Sequence, residues 1–166
     1  MDKITDKIYL GGCFGADDEK QLKEKKIKYV LSCMGRLSPV YKDKTIKQKI
    51  IELNDTPETN IIQYFIESIK FIEEADKIFV HCFAGVSRSA TLVIAYFMWK
   101  RKIPYKESLE FVNKYRMIGP NLGFRKQLVI FEEKLKENNY DLDKIDVKSV
   151  EWPPKGGITY NFSQLV

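Results

Sequence analysis

The sequence is most constrained between residues 77 and 102, where a strand pattern runs through a small loop into a long apolar helix. Residues 77–82 (KIFVHC) form a short run of apolar and β-branched residues, which is typical of a buried strand. Residues 89–102 (SATLVIAYFMWKRK) are apolar on nearly all sides and end in a basic turn, as expected of a central buried helix. The stretch therefore predicts one strand-loop-helix unit of an α/β fold.

Three further runs have the same strand character, at residues 7–12 (KIYLGG), 28–33 (KYVLSC) and 49–53 (KIIEL). Helical patterns lie between them, a short one at 16–25 and a longer one across 60–75. The longer pattern places a set of apolar residues on one face: Ile62, Phe65, Ile66, Ile69 and Ile72 or Phe71. Strands that alternate with helices predict an α/β fold with a central, mostly parallel, twisted sheet flanked by helices.

After residue 102 the pattern predicts helices only. Pro104 can open one helix, with Leu109, Val112 and Tyr115 facing inward, and Asn121 can cap the last one. The last helix has an apolar face at spacings of four, three and four residues, formed by Phe124, Leu128, Phe131 and Leu135.

The length of 166 residues fits one domain. Pro-Pro and Gly-Gly breaks and the loss of any period after residue 139 predict a compact domain at 1–139 and a C-terminal segment at 140–166 outside it.

Composition excludes several classes of protein. No apolar run approaches the roughly 20 residues of a membrane span, and the first residues lack a signal-peptide core, so we expect a cytoplasmic, possibly nuclear, protein without a membrane partner. The net charge of +5 is interleaved with acidic and apolar residues, which favours a solvated surface over a nucleic-acid partner. One histidine and no clustered cysteines leave too few ligands for an all-protein zinc centre, so we expect no metal. We also expect a monomer.

The loop after residue 82 has the composition of an anion site. Cys82 ends the strand, Gly85 permits a tight curl, and a helix begins near Ser87. Backbone N–H groups of the loop can converge on one tetrahedral dianion beside the helix N-terminus, and these are the groups of Phe83, Ala84, Gly85, Val86, Ser87 and Arg88. The same environment stabilises a thiolate on Cys82, while the planar guanidinium of Arg88 can grip two phosphoryl oxygens. A nucleophile would then face a bound phosphate.

His81 suggests a second reading, a cysteine-histidine hydrolase. His81 is the only histidine and the immediate neighbour of Cys82, and neighbours on a strand point to opposite faces. It is therefore not placed to act as the base. We interpret it as a supporting residue, either structural or tuning the thiolate.

Attack by the thiolate requires an acid that protonates the leaving group, and without a histidine a carboxylic acid is the natural choice. Asp55 follows the strand predicted at 49–53, and active sites of open α/β sheets form beyond strand ends. On position alone, a helix-capping role for Asp55 is equally supported. Four other aspartates fit less well: Asp17, Asp18, Asp43 and Asp76.

Residues 81–90 (HCFAGVSRSA) resemble the signature of cysteine-based protein tyrosine phosphatases, in the form found in dual-specificity phosphatases of the small, atypical type without a docking domain. Other segments are similar in the family's order: KIYLGG, KYVLSCM, NDTPETNIIQYF, TLVIAYFMW and GPNLGFRKQL. The resemblance covers roughly residues 4–137.

The resemblance implies a role for each site residue. Cys82 is the nucleophile that forms a phosphocysteine, Arg88 binds phosphate, and Asp55 is first the acid and then the base for water. Ser89 would ease release of the thiolate, and Asn121 would support the phosphate loop. It implies no metal or organic cofactor.

The resemblance leaves the substrate open. Lipid phosphatases of the superfamily carry lysines in the loop, whereas Phe83, Ala84 and Val86 are uncharged, so we expect a phosphorylated protein on phosphotyrosine and phosphoserine or phosphothreonine. A non-protein phosphate (an inositol lipid, an RNA 5′ end or a glycan) and a non-catalytic phosphate-binding module remain alternatives. Whether Cys33 or Cys13 forms a redox disulfide with Cys82 also remains open.

Overall fold

The protein folds around a five-stranded sheet. The computed structural model describes residues 1–156 and 160–165. The strands are β1 (Asp2–Lys3), β2 (Ile8–Gly11), β3 (Tyr29–Ser32), β4 (Lys47–Ile50) and β5 (Ile78–His81), in the order β1-β2-β5-β3-β4. β1 runs antiparallel to β2, and the other neighbours are parallel. The mixed α/β fold with a mostly parallel sheet is the one the sequence predicts.

Helices cover both faces of the sheet. α1 (Cys13–Ala16) and α2 (Glu19–Glu24) cover one face over a small core that includes Leu22, Val30 and Phe79. The other face carries α3 (Phe65–Glu74), α4 (Arg88–Arg101), α5 (Tyr105–Asn113) and α6 (Leu122–Glu137). α4 packs against β5 and all three other helices of this layer. This explains why its sequence is apolar on nearly every side.

The central strands follow the predicted runs, but the edge strand does not. β4 spans Lys47–Ile50, earlier than the run at 49–53. Its side chains are partly or fully exposed because it lies at the edge of the sheet, so it lacks a buried-strand pattern. The apolar run marks the extended segment after β4, where Ile51 and Leu53 enter the core.

One helical prediction is confirmed and another needs correction. The pattern at 16–25 corresponds to α2, which begins at Glu19 because the Asp18 carboxylate accepts the Gln21 N–H at 3.0 Å. Tyr115 lies beyond the end of α5 and is half exposed, so it does not face inward. The Ser108 hydroxyl is buried on that face and donates to the Ile94 carbonyl at 2.8 Å.

The longer helical pattern and the last helix are confirmed. A single turn of helix at Ile62–Tyr64 buries Ile62, and α3 follows it and buries Phe65, Ile69 and Ile72. Ile66 of the predicted face is half-buried against the same core. The Asn121 carboxamide oxygen accepts the Phe124 N–H at 2.9 Å, which caps α6. The whole predicted face of α6 is buried: Phe124, Leu128, Phe131 and Leu135.

The C-terminal segment packs against the domain. Ile145, Val147 and Val150 are buried in the larger core, and the Trp99 indole N–H donates to the Tyr140 carbonyl at 3.1 Å. The packed structure therefore extends beyond residue 139, where the periodic pattern ends. Short apolar residues separated by charged ones do not form a helical or strand period, which is why the sequence pattern does not reveal this packing.

Within the described residues, no helix has the length and hydropathy needed to cross a membrane.

The packing of the C-terminal segment predicts a stability effect. Replacing Ile145 with alanine leaves a cavity in the core, and the free energy of unfolding should fall by about 2 to 5 kcal/mol in urea titrations. The neighbouring exposed residue gives the control, because Lys144→Ala should change stability by less than about 1 kcal/mol. Equal stability of the Ile145→Ala variant and the parent would mean that the segment is not part of the folded core in solution.

Candidate active site

The loop at residues 82–87, here called the catalytic loop, connects β5 to α4. Its carbonyl groups are bound by the surrounding scaffold. The Phe83 carbonyl accepts the Cys13 N–H at 2.9 Å, the Val86 carbonyl accepts the Gly119 N–H at 2.9 Å, and those of Ala84 and Gly85 accept the Arg116 guanidinium, each at 2.9 Å.

The N–H groups of the same loop are left for a ligand. The Gly85 N–H donates to the Cys82 sulfur at 3.3 Å. The N–H groups of Phe83, Ala84, Val86, Ser87 and Arg88 donate to no acceptor in the part of the chain that the structure describes. A loop whose carbonyls are engaged outside and whose N–H groups are free is suited to bind an anion.

Gly85 is required by the curl of the loop. Its φ is +68°, and a Cβ there would lie 2.4 Å from the backbone carbonyl of Gly11 at the end of β2. Both the positive φ and the close approach exclude a side chain.

Cys82 lies at the base of the loop. Cys82 is 2% exposed to solvent, and its sulfur lies 3.1 Å from the Ser89 hydroxyl in the first turn of α4. The N-terminus of this 14-residue helix adds partial positive charge at the same point. Ser89 can therefore donate a hydrogen bond to a thiolate on Cys82.

Arg88 is held in part and free in part. One terminal nitrogen donates to the Leu53 carbonyl at 3.0 Å, while the buried Nε has no partner within the described residues. A buried guanidinium nitrogen without an acceptor is costly, and a phosphate oxygen would satisfy it.

His81, the last residue of β5 and the residue before Cys82, is fully buried. Its Nε2 lies 2.6 Å from the Ser32 hydroxyl on β3. Its Nδ1 lies 3.3 Å from the Cys82 carbonyl. Burial lowers the pKa of His81 from 6.5 to about 4, so the ring is neutral at pH 7. It contacts the backbone of Cys82 and not the sulfur, which fits a supporting residue.

Asp55 lies in the segment that connects β4 to α3. Residues 54–61, here called the acid loop, contain it, and its side chain is exposed. The Asn121 carboxamide donates to the Asp55 carboxylate at 2.9 Å, and the Asn121 backbone N–H donates to the Ser87 hydroxyl at 3.0 Å. Asn121 thus bridges the acid loop and the catalytic loop, and it contacts the catalytic loop through its backbone.

Two of the other aspartates have structural contacts elsewhere. Asp18 caps α2, and Asp43 pairs with Lys28 at 3.0 Å. The Thr45 hydroxyl and the Thr45 backbone N–H both donate to the Asp43 carboxylate. These two hydrogen bonds, together with the one from the Lys28 ammonium, lower the pKa of Asp43.

Arg116 contacts the catalytic loop, a role that its position in the sequence does not predict. Besides its two loop carbonyls, it pairs with the Asp2 carboxylate at 2.8 Å. It stands in a loop after α5, 28 residues beyond Arg88, and no local pattern distinguishes it from the other basic residues. Only the folded chain brings it behind the catalytic loop.

The three cysteines are free. Cys33 is fully buried at the end of β3, and its N–H donates to the His81 carbonyl at 2.9 Å. Continuing the β3–β5 register brings Cys33 opposite Cys82 at the spacing of neighbouring strands, which suits a disulfide better than the position of Cys13 on the outside of the loop. Burial raises the pKa of the Cys33 thiol well above its usual value.

The fold and the site together have the architecture of the cysteine-dependent phosphatases: a thiol at the end of a parallel strand, a loop of free N–H groups, and an arginine in the first turn of the following helix. Residues 8–134 match the family model "Dual specificity phosphatase, catalytic domain". The chain belongs to the dual-specificity phosphatase family.

Individual relatives and solved structures agree. The chain is 39% identical over 138 residues to mouse dual specificity protein phosphatase 22, with 80% of this chain and 74% of that protein covered. It is 40% identical to the Dictyostelium discoideum MAP kinase phosphatase with leucine-rich repeats protein 1 over 82% of this chain but only 16% of that protein. The crystal structure of DUSP15 matches with a TM-score of 0.75 and 34% identity, covering 83% of this chain and 90% of that one.

A solved structure with the same fold is described as phosphatase-like. The human tyrosine phosphatase-like serine/threonine/tyrosine-interacting protein matches with a TM-score of 0.75 and 28% identity, covering 80% of this chain and 95% of that one.

The position of Arg116 predicts a catalytic effect. Arg116→Lys removes the planar fork that holds two loop carbonyls, so the loop should loosen and kcat/KM on an aryl phosphate should fall by about 10- to 100-fold. Arg101→Lys, at the far end of α4, should leave kcat/KM unchanged. If the Arg116→Lys variant has parental kinetics, the loop is held without this residue.

The buried neutral histidine predicts a pH dependence of stability. Because folding lowers the pKa of His81, its contribution is present above pH 6.5 and is lost as pH falls towards 4. Between pH 7 and pH 5 this contribution should decrease by about 2 kcal/mol, and His81→Gln should remove that part of the dependence in urea titrations. Identical pH dependence in both proteins would mean that His81 titrates normally.

Proposed function

We propose that the chain is an active protein phosphatase that hydrolyses phosphotyrosine and phosphoserine or phosphothreonine through a phosphocysteine on Cys82. One observation carries the proposal: the Cys82 sulfur, the free N–H groups of the catalytic loop and the unpartnered Nε of Arg88 belong to the same strand-loop-helix unit. A phosphate bound by the loop and by Arg88 meets the nucleophile in line.

In the first step the Cys82 thiolate attacks phosphorus, the S–P bond forms, and the bond to the leaving oxygen breaks. Asp55 gives its proton to that oxygen, so the product leaves as a neutral alcohol or phenol. Arg88 and the N–H groups stabilise the charge on the equatorial oxygens.

In the second step water attacks the phosphocysteine. Asp55, now a carboxylate, takes a proton from the water, the S–P bond breaks, and phosphate is released. The leaving thiolate receives a hydrogen bond from the Ser89 hydroxyl, 3.1 Å from the sulfur. The acid and the base are therefore one residue in two protonation states, and no metal or organic cofactor is needed.

A phosphorylated protein is the substrate that the rim of the site favours. Phe83 and Val86 of the catalytic loop are partly exposed and apolar, and Phe14, which lines a groove with Phe83 and Ala84, is 88% exposed. Such a rim can contact the side chains that flank a phosphorylated residue. A multiply charged inositol phosphate would be better served by lysines at those positions.

The site also supports proposals about assembly and compartment. Cys82, Arg88, Ser89 and Asp55 all come from one chain, which is consistent with a monomer. A thiolate nucleophile must stay reduced, so we propose action in the cytoplasm, possibly also in the nucleus. We propose no nucleic-acid or membrane partner, because the basic residues are interleaved with acidic ones.

Two substitutions test the mechanism. Cys82→Ser should abolish hydrolysis of phosphotyrosine peptides, because a serine hydroxyl is not ionised at neutral pH. Asp55→Asn should lower kcat/KM on the same peptides by roughly 10² to 10⁴ while binding persists. Asp43 is a partly exposed aspartate paired with Lys28, and Asp43→Asn is the matched control that should keep parental kinetics.

The same assay separates the alternatives. Hydrolysis that survives Cys82→Ser would contradict the proposed mechanism. A chain that binds phosphopeptides without hydrolysing them would be a binding module of the same fold. Faster hydrolysis of phosphoinositides, a 5′-phosphorylated RNA or a glycan phosphate than of any phosphopeptide would contradict the protein substrate.

A further inference from the structure

The acid loop is held from outside by the C-terminal segment. The Trp152 indole N–H donates to the Pro57 carbonyl at 2.8 Å. The Asn60 carboxamide donates to the Val150 carbonyl at 3.2 Å. Pro57 and Asn60 lie two and five positions after Asp55. Their partners begin at Val150, 16 residues beyond residue 134, where the match to the family model ends.

The C-terminal segment is itself fixed where it makes these contacts. Ile145, Val147 and Val150 are buried in the larger core, and Trp152 is partly buried against the same core. Lys148 pairs with Glu67 on α3 at 3.4 Å, which adds a weak surface contact. A hydrogen bond from Trp152 therefore ties the acid loop to the core and not to a loose chain end.

Apart from the Asn121 carboxamide, which donates to the Asp55 carboxylate at 2.9 Å, few contacts restrain the acid loop near Asp55. It contains no regular helix or strand. Gln127 of α6 holds its end, where the carboxamide oxygen accepts the Ile61 N–H at 2.9 Å and the amide donates to the Thr59 carbonyl at 2.9 Å. On the Asp55 side, the start of α6 lies directly against Pro57, because a Cβ on Gly123 would overlap the Pro57 carbonyl.

The Pro57 carbonyl is thus in contact with both the start of α6 and Trp152. We propose that Trp152 is a positioning residue that sets the location of Asp55 over the leaving group. The inference rests on the proposed function, since it assumes that Asp55 is the acid. A general acid works only within hydrogen-bond reach of the leaving oxygen, so a small displacement of the loop costs rate.

The dependence of rate on the leaving group tests this role. Trp152→Phe keeps an aromatic ring and removes only the N–H donor. On phenyl phosphate, whose leaving group needs a proton, kcat/KM should fall by about 3- to 10-fold, the worth of one hydrogen bond. On a dinitrophenyl phosphate, whose phenolate leaves without a proton, kcat/KM should not change.

Trp99→Phe is the matched control. Its indole N–H makes the same kind of bond, to the Tyr140 carbonyl at 3.1 Å, at the end of α4. This variant should keep both rates. In the Asp55→Asn background, Trp152→Phe should have no further effect on phenyl phosphate, because the group that it positions is gone.

Two results would overturn the proposal: an equal loss of kcat/KM on both phosphates, or parental rates on both. If the parent protein hydrolyses neither, the proposed function fails, and amide hydrogen exchange then tests the contact. Trp152→Phe should speed exchange in residues 54–60 and Trp99→Phe should not. Unchanged exchange in that segment would show that Trp152 does not hold the loop.

Discussion

The site depends on how the carbonyl groups of the catalytic loop are bound. Each of the four carbonyls from Phe83 to Val86 has a donor in the scaffold, supplied by the start of α1, by Arg116 and by Gly119. A peptide group cannot turn its carbonyl outward without turning its N–H the other way, so these bonds also direct the N–H groups to the anion. The scaffold thereby gives an uncharged segment of backbone its affinity for a dianion before any ligand is present.

The polar groups around this loop are kept neutral or paired. His81 is buried beside Cys82 but is neutral at pH 7 because burial lowers its pKa. The charge of Arg116 is balanced by Asp2. Among the described contacts of this loop and its helix, Arg88 is the cation with a buried nitrogen, Nε, that has no partner and can donate to a phosphate oxygen. This division of roles lets Arg88 carry the charge for the substrate while Arg116 shapes the loop.

The sequence predicted those features that arise from neighbouring residues. The strand before Cys82, the curl at Gly85 and the helix after Ser87 follow from short-range composition, and the cap at Asn121 follows from its place before an apolar period. Asp55 could be identified as the proposed acid, and not merely as a helix cap, only by resemblance to the family, because strand order is needed to bring its loop to Arg88.

Arg116 and Trp152 could not be predicted. Each acts across a long stretch of chain through the contacts of one side chain, which leave no period in the sequence. β4 begins before the apolar run at 49–53, because an exposed edge strand lacks the apolar run that marks the buried ones.

The proposed nucleophile, Cys82, and the proposed acid, Asp55, are connected through the start of α6. The Asn121 backbone N–H donates to the Ser87 hydroxyl, and its carboxamide N–H donates to the Asp55 carboxylate. Its carboxamide oxygen accepts the Phe124 N–H and caps α6. One residue thus connects both loops to the rigid end of a 16-residue helix. Gly123, two residues further along, allows the Pro57 backbone to lie against the same helix, and the Trp152 indole N–H donates to the Pro57 carbonyl. A change at Gly123 or Trp152 would move Asp55 relative to the Cys82 sulfur without altering a contact of the catalytic loop, whereas Asn121 contacts both loops. Phosphate binding and protonation of the leaving group therefore depend on different contacts. The bonds to the loop carbonyls orient the N–H groups that bind phosphate. The start of α6 and Trp152 position the proposed acid, Asp55, for the leaving group.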